Sequence, residues 1–194
     1  MFTKLIIVRH GETAWNKEGR KQGHANTSLS KKGKTQARQL SEFLKGEKIG
    51  CVYSSDLPRA LKSAELIASP HGLKVRKDKL LREIDLGLCE GLTKEEMKLK
   101  FPEFFEKRKN DYFGVPYPKG ESPNDVRKRV LKFLDKIERA KGIVLIVSHN
   151  GFNRNLVNYL SSSLPEQVSG SEFGHGTVAE FDSGKAKMRL RKIG

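Results

Sequence analysis

Two short apolar runs, residues 5–8 and 143–147, each break off one residue before a histidine. The first leads into Arg9-His10-Gly11 and the second into Ser148-His149-Asn150-Gly151. Both runs are rich in β-branched residues. A continuous apolar run of this length, closed by turn formers, reads as a strand buried on both faces of a parallel sheet. Helical patterns follow both runs, so the chain is of the α/β class. In open α/β sheets, ligands bind at the carboxyl ends of the strands. If the two strands are neighbours, their imidazoles meet at one edge. A single Arg-His-Gly tripeptide occurs by chance, and a lone histidine after a strand is most often structural. Two such endings in one chain are much harder to ascribe to coincidence. Gly11 lets the backbone turn or approach a ligand closely.

The remaining pattern fills in the sheet and its helices. Ser30 caps a helix over 31–45 whose apolar face is Ala37, Leu40, Phe43 and Leu44. Residues 49–54 read as a strand, and 57–69 as a helix with Ala60, Ala64, Ile67 and Ala68 inward. Residues 73–76 are a weak strand. Thr93 to Glu96 form a capping box that opens a short helix. The aromatic and basic stretch 101–113 is read as a second short helix with its phenylalanines packed inward. Ser122-Pro123-Asn124-Asp125 starts a long helix lined by Val126, Val130, Phe133, Leu134 and Ile137. A further helix places Phe152, Leu156 and Leu160 on one face. Residues 177–181 and 187–190 alternate as a closing hairpin around Ser183-Gly184. Residues 17–30 and 114–121 are loops.

The 194 residues suit a single domain, 1–194. No apolar run reaches the length of a membrane span, and the short N-terminal run leading into Arg-His does not read as a signal peptide. Two cysteines, Cys51 and Cys89, do not make a disulfide framework, so a cytoplasmic location is expected. The net charge of +15 favours anionic partners: nucleic acid, acidic membrane or phosphorylated metabolites. The lysines are spread along the chain, which equally suits a solvated surface.

Several residues point to phosphoryl transfer. A neutral imidazole can attack phosphorus and form a phosphohistidine. Guanidinium groups bind phosphate oxygens bidentately and offset charge on the transferring group. Besides Arg9, Arg59 stands in the first turn of its helix, where a cation opposes the helix dipole unless an anion joins it. An acid must protonate the leaving oxygen. Glu83, Asp85 and Glu90 compete for that role, and Glu83 is preferred because Leu80 and Leu81 before it suggest partial burial, which raises a carboxyl pKa. The bland alternative is a surface glutamate paired with Arg82. The histidines scatter through the chain without H-E-x-x-H or C-x-x-C spacing, so no metal is expected. Gly33-Lys34-Thr35 imitates the end of a P-loop, but Ser28 stands where the first glycine is required.

Arg9-His10-Gly11-Glu12-Thr13, Asn16, Gly19-Arg20 and Gln22-Gly23 resemble the opening motif of the histidine phosphatase superfamily, the phosphoglycerate mutase-like group. The resemblance continues through Tyr53-Ser54-Ser55, Arg59-Ala60, Leu81-Arg82-Glu83, Gly120-Glu121-Ser122 and Val147-Ser148-His149, nearly the whole chain in order. It implies a three-layer α/β/α fold with a mostly parallel central sheet and a small helical lid insertion at about 88–121. It implies His10 as the phosphorylated nucleophile, with Arg9, Arg59 and His149 completing the phosphate pocket and Glu83 as proton donor. Asn16 would contact phosphate, Gln22 and Gly23 would line the entrance, and Asn150 would add its backbone amide. No cofactor is implied. The expected substrate is a small anionic phosphomonoester, with no nucleic acid and no membrane as partner and a homodimer left open. The short connection favours a phosphatase, resembling broad-specificity and α-ribazole phosphatases, over a mutase. Leu86 stands where phosphoserine phosphatases of the family tend to carry a histidine. A basic nucleic-acid-binding module without catalysis is the reading from another class. His175 is expected to be structural rather than to touch substrate.

Overall fold

The computed structural model describes residues 1–162, 173–185 and 187–193. Its six strands are β1 (Phe2–Arg9), β2 (Ile49–Ser54), β3 (Val75–Lys77), β4 (Gly142–Ser148), β5 (Thr177–Asp182) and β6 (Lys187–Lys192), in the sheet order β3-β2-β4-β1-β5-β6. The first four in that order run parallel, and β5 and β6 close the sheet antiparallel. β1 and β4 are therefore central neighbours, as the two histidine-ended runs suggested, and Arg9 lies opposite Ser148 in the register.

Among the described residues the α-helices are α1 (Ala14–Lys17), α2 (Lys31–Leu44), α3 (Pro58–Ala68), α4 (Lys94–Lys100), α5 (Pro102–Asn110), α6 (Pro123–Ile137) and α7 (Asn150–Ser161). The period of two along the strands sorts the core into two layers. Leu5, Ile7, Val144 and Ile146 face α6 and α7, meeting Val130, Phe133, Phe152 and Leu156. Ile6, Val8, Leu145 and Val147 face α2 and α3, meeting Leu40, Leu44, Ala64 and Ile67. Covered on both faces, the central residues 5–8 of β1 and 144–147 of β4 need apolar side chains at successive positions, and this is why their sequence runs are unbroken. α4 and α5 stand apart, around a separate small cluster of Leu86, Cys89, Met97 and Phe104.

Side-chain caps start four of the seven described α-helices. Ser30, Thr93 and Ser122 each accept the backbone N–H three residues on, and the latter two complete reciprocal capping boxes. α1, which falls partly in a stretch read as loop, rests on a capping box of its own between Thr13 and Asn16. Phe43 is a correction, since it is exposed rather than core-facing. The buried stripe of α2 is Gly33, Ala37, Leu40, Ser41 and Leu44.

Gly33, the glycine of the P-loop imitation, has a packing role. A Cβ on Gly33 would meet the Glu12 carbonyl oxygen at 2.0 Å, and one on Gly11 would meet the Gly33 carbonyl oxygen at 2.1 Å. The start of α2 thus lies directly on the turn that carries His10. Gly33→Ala is expected to destabilise the protein by about 1–3 kcal/mol, because backbone rather than a flexible side chain must yield. A fall in the urea midpoint measures it, and an unchanged midpoint would refute the close approach.

Candidate active site

The turn after β1 is tied on every side. The His10 N–H donates to the Ser148 carbonyl at 3.0 Å, the Gly11 N–H to Ser63 Oγ at 3.1 Å, and the Glu12 N–H to Gln36 Oε1 at 2.8 Å. Asn153 of α7 donates from Nδ2 to the Val8 carbonyl at 3.0 Å. The His10 ring is almost wholly buried, and its Nδ1 lies 2.7 Å from the Gly11 carbonyl oxygen. A carbonyl only accepts, so Nδ1 carries the proton and Nε2 keeps its lone pair.

His149 is the N-cap residue of α7 and is fully buried. Its ring centroid is 5.0 Å from that of His10, at an interplanar angle of 60°. Neither of its ring nitrogens has a hydrogen-bond partner among the described residues. Burial first, then the charges of Arg9 and Arg59, hold the His10 pKa well below the ordinary histidine value; for His149, burial and Arg59 lead. Both imidazoles are therefore neutral at physiological pH.

The two guanidinium groups that create this field are positioned by backbone. Arg59 is buried, although it sits in the first turn of α3. It donates to the Gly23 carbonyl at 2.7 Å and the Ala25 carbonyl at 2.8 Å. Burial lowers its pKa to about 10, with Glu83 the strongest opposing influence, so it remains charged. Arg9 donates to the Phe173 carbonyl at 3.2 Å.

Glu83 meets this group from a different direction. The strap that carries it is fastened to β4, where Ser148 Oγ donates to the Leu81 carbonyl at 2.7 Å. Its carboxylate sits on the N-terminus of α7. It accepts the N–H groups of Gly151 at 3.0 Å and Phe152 at 3.2 Å, and that of Ile84 at 2.9 Å. Backbone donors, rather than the apolar enclosure expected from Leu80 and Leu81, define its surroundings. Arg82 does not pair with it, since Arg82 is engaged by Asp56 at 2.6 and 2.7 Å. The two competing acids are also committed: Asp85 Oδ1 accepts the Gly87 N–H at 2.8 Å, and Glu90 Oε1 accepts the His24 N–H at 2.5 Å.

A cavity of about 410 Å³ opens above these groups. Arg9, His10, Arg59, Glu83, Asn16, Gln22, Gly23 and Asn150 all line it, while His149 lies behind the lining. Asn16 spends its carbonyl oxygen on Thr13, and Gln22 Oε1 accepts from Thr13 Oγ1 at 3.0 Å and from Thr27. Asn150 Oδ1 accepts the Phe173 N–H at 2.9 Å. His175 is not among the residues lining the cavity; it braces the turn after β1, with Nδ1 donating to the His10 carbonyl at 2.8 Å.

The outer wall was not foreseen. It holds Arg20, Lys21, Arg108 and Arg154, and among the described residues that line the cavity Glu83 is the one acid. The Arg108 guanidinium is boxed by aromatic rings, 4.3 Å from Tyr112, 4.8 Å from Tyr117 and 5.2 Å from Phe104. The mixed aromatic and basic composition of 101–113 was the available signal, but it does not distinguish a core helix from one that presents an arginine. Among the described residues, no group of three or more His, Cys, Asp and Glu side chains is placed to hold a metal ion, and no helix is long and apolar enough to cross a membrane.

Comparison with known proteins agrees with this geometry. The chain is 38% identical over 150 residues to phosphoserine phosphatase 1 of Hydrogenobacter thermophilus, covering 76% of this chain and 71% of that one. A mycobacterial glucosyl-3-phosphoglycerate phosphatase superposes with a TM-score of 0.83 at 29% identity, covering 98% of each chain. The α-ribazole phosphatase of Shigella flexneri superposes with a TM-score of 0.82 at 27% identity, covering 98% of this chain and 95% of that one. The family profile described as histidine phosphatase superfamily (branch 1) matches residues 5–194, with the buried pair His10 and His149 inside it. The chain belongs to branch 1 of the histidine phosphatase superfamily.

Proposed function

We propose that the protein hydrolyses small anionic phosphomonoesters through a phosphohistidine on His10. The observation that carries this reading is the fixed tautomer of His10: Nδ1–H is spent on Gly11, and Nε2 is left nucleophilic beside two arginines. Arg9 and Arg59 would take the phosphate oxygens, and Asn16 would add its amide. His149, held neutral by burial and then by the Arg59 charge, still carries one N–H, which would donate to a phosphate oxygen. His10 Nε2 attacks phosphorus, the ester P–O bond breaks, and Glu83 passes a proton to the leaving oxygen. Water then attacks the phosphohistidine with its proton going to Glu83, which releases phosphate and restores His10. The arginines supply the charge stabilisation, so no metal enters the scheme.

Hydrolysis is favoured over mutase chemistry by the phosphatases among the similar proteins. The cationic outer wall favours substrates whose remainder carries a second negative group. Leu86 contributes an apolar patch to the same wall. Residues 88–121, which carry α4 and α5, would act as a lid over it. A panel of phosphomonoesters assayed with a chelator present tests the reading. Phosphate release is expected to persist in chelator and to be most efficient for dianionic substrates; loss of activity that a divalent metal restores would refute it. Arg108→Leu is expected to raise KM about tenfold or more for a substrate with a second anionic group, the scale of one lost charged hydrogen bond. An equal rise for a substrate with an uncharged remainder would contradict the assignment.

A further inference from the structure

Arg129 of α6 lies outside the cavity lining, yet it makes the densest set of hydrogen bonds near Glu83. Its Nη1 donates to the Leu80 carbonyl at 2.6 Å and the Arg82 carbonyl at 3.0 Å, and its Nη2 to the Glu83 carbonyl at 3.1 Å. The same guanidinium is bidentate on Glu121, with Nε to Oε1 at 2.8 Å and Nη2 to Oε2 at 2.7 Å. Glu121 continues the grip along the strap. Its Oε2 accepts the Asp85 N–H at 3.0 Å, and its own N–H donates to the Asp85 carbonyl at 2.9 Å. The guanidinium carbon also lies 5.9 Å from the centre of the Phe152 ring. Phe152 is one of the three residues whose N–H holds the Glu83 carboxylate. From another element, His24 Nε2 donates to the same Glu83 carbonyl at 2.8 Å.

We infer that Arg129, paired with Glu121 and assisted by His24, is a positioning residue that fixes the Glu83 carboxyl relative to the scissile ester. It acts on both sides of the carboxyl: on the strap that carries Glu83, and on the ring of a residue whose amide receives the carboxylate. Five planar donors in a rigid fork suit this arrangement, and a lysine ammonium cannot reproduce it. This inference rests on the reading of Glu83 as the acid.

A purely structural arginine would slow every substrate alike. A residue that aims the acid matters only where the leaving group needs a proton. The test therefore compares single-turnover phosphorylation of His10 by an alkyl phosphate and by p-nitrophenyl phosphate, whose phenolate leaves without protonation. Arg129→Lys is expected to slow the alkyl reaction about 10- to 100-fold and the aryl reaction less than about threefold, on the scale of a reacting group displaced by around an ångström. His24→Leu, at a partly exposed loop position and with its fold checked by circular dichroism, is expected to show the same asymmetry at smaller size. Glu83→Gln in parallel separates the two claims. If Glu83→Gln is asymmetric while Arg129→Lys and His24→Leu slow both substrates equally or neither, the positioning role is overturned and the acid stands. If Glu83→Gln itself shows no asymmetry, the acid assignment falls, and the positioning role falls with it.

Discussion

Replacing His10 by alanine is expected to cut turnover by roughly a million-fold, the scale on which an enzyme responds to losing its nucleophile outright. His149 is fully buried behind the lining, and the described residues that line the cavity include no serine, threonine or cysteine. The ring's only described hydrogen bond is to Gly11, so the fold should survive the change, which circular dichroism can verify. The same geometry fixes a pH dependence. A base whose pKa is lowered in the folded protein stays neutral down to that lowered value. The His10 limb of kcat/KM, once the second ionisation of the substrate phosphate is allowed for, should therefore appear only well below the ordinary histidine range. A His10-dependent limb near 6.5 would mean that burial and the two arginines do not act on the ring as described.

The second large effect belongs to Glu83. Glu83→Gln keeps the shape of the side chain but removes the transferable proton. It should slow phosphorylation by an alkyl phosphate by about 10²- to 10⁴-fold, the usual contribution of a general acid. With p-nitrophenyl phosphate the cost should be small. Rapid-mixing measurements of the first turnover are required, because slow breakdown of the phosphohistidine would otherwise hide the difference. If Asp85→Asn or Glu90→Gln produces the asymmetry and Glu83→Gln does not, the acid is one of those residues, despite their present commitments to Gly87 and His24.

The central strands and the meeting of His10 with His149 were legible in the sequence because two-sided burial leaves an unbroken apolar run, and a run that ends in a histidine places that histidine at the sheet edge. Ser30, Thr93 and Ser122 were legible because a cap is a local interaction. α1 was not, since a four-residue helix has no period and its cap lies between polar residues of a motif already assigned to the site. Phe43 misled because it is apolar and adjacent to the true stripe of α2. What attends it is the Arg191 guanidinium, 5.9 Å from its ring centre, on a strand nearly 150 residues away. Arg59 was recognised as a cation in an unfavourable place, and its burial against the carbonyls of Gly23 and Ala25 is what the helix pattern alone could not reveal. The same limit hid Arg129 and Arg108. One serves backbone carbonyls far along the chain, and the other is defined by three aromatic rings that only the folded segment assembles.

The central claim is a covalent phosphate on His10. Wild-type protein mixed with substrate labelled in the phosphoryl group, quenched within the first turnover under alkaline conditions and digested, tests it directly. The account predicts label on the peptide that contains His10, stable to alkali and lost in acid, at a level approaching one per chain if breakdown is slower than formation. Phosphate release that proceeds through many turnovers with no protein-bound label at any quench time, or label found on His149 instead, would contradict it.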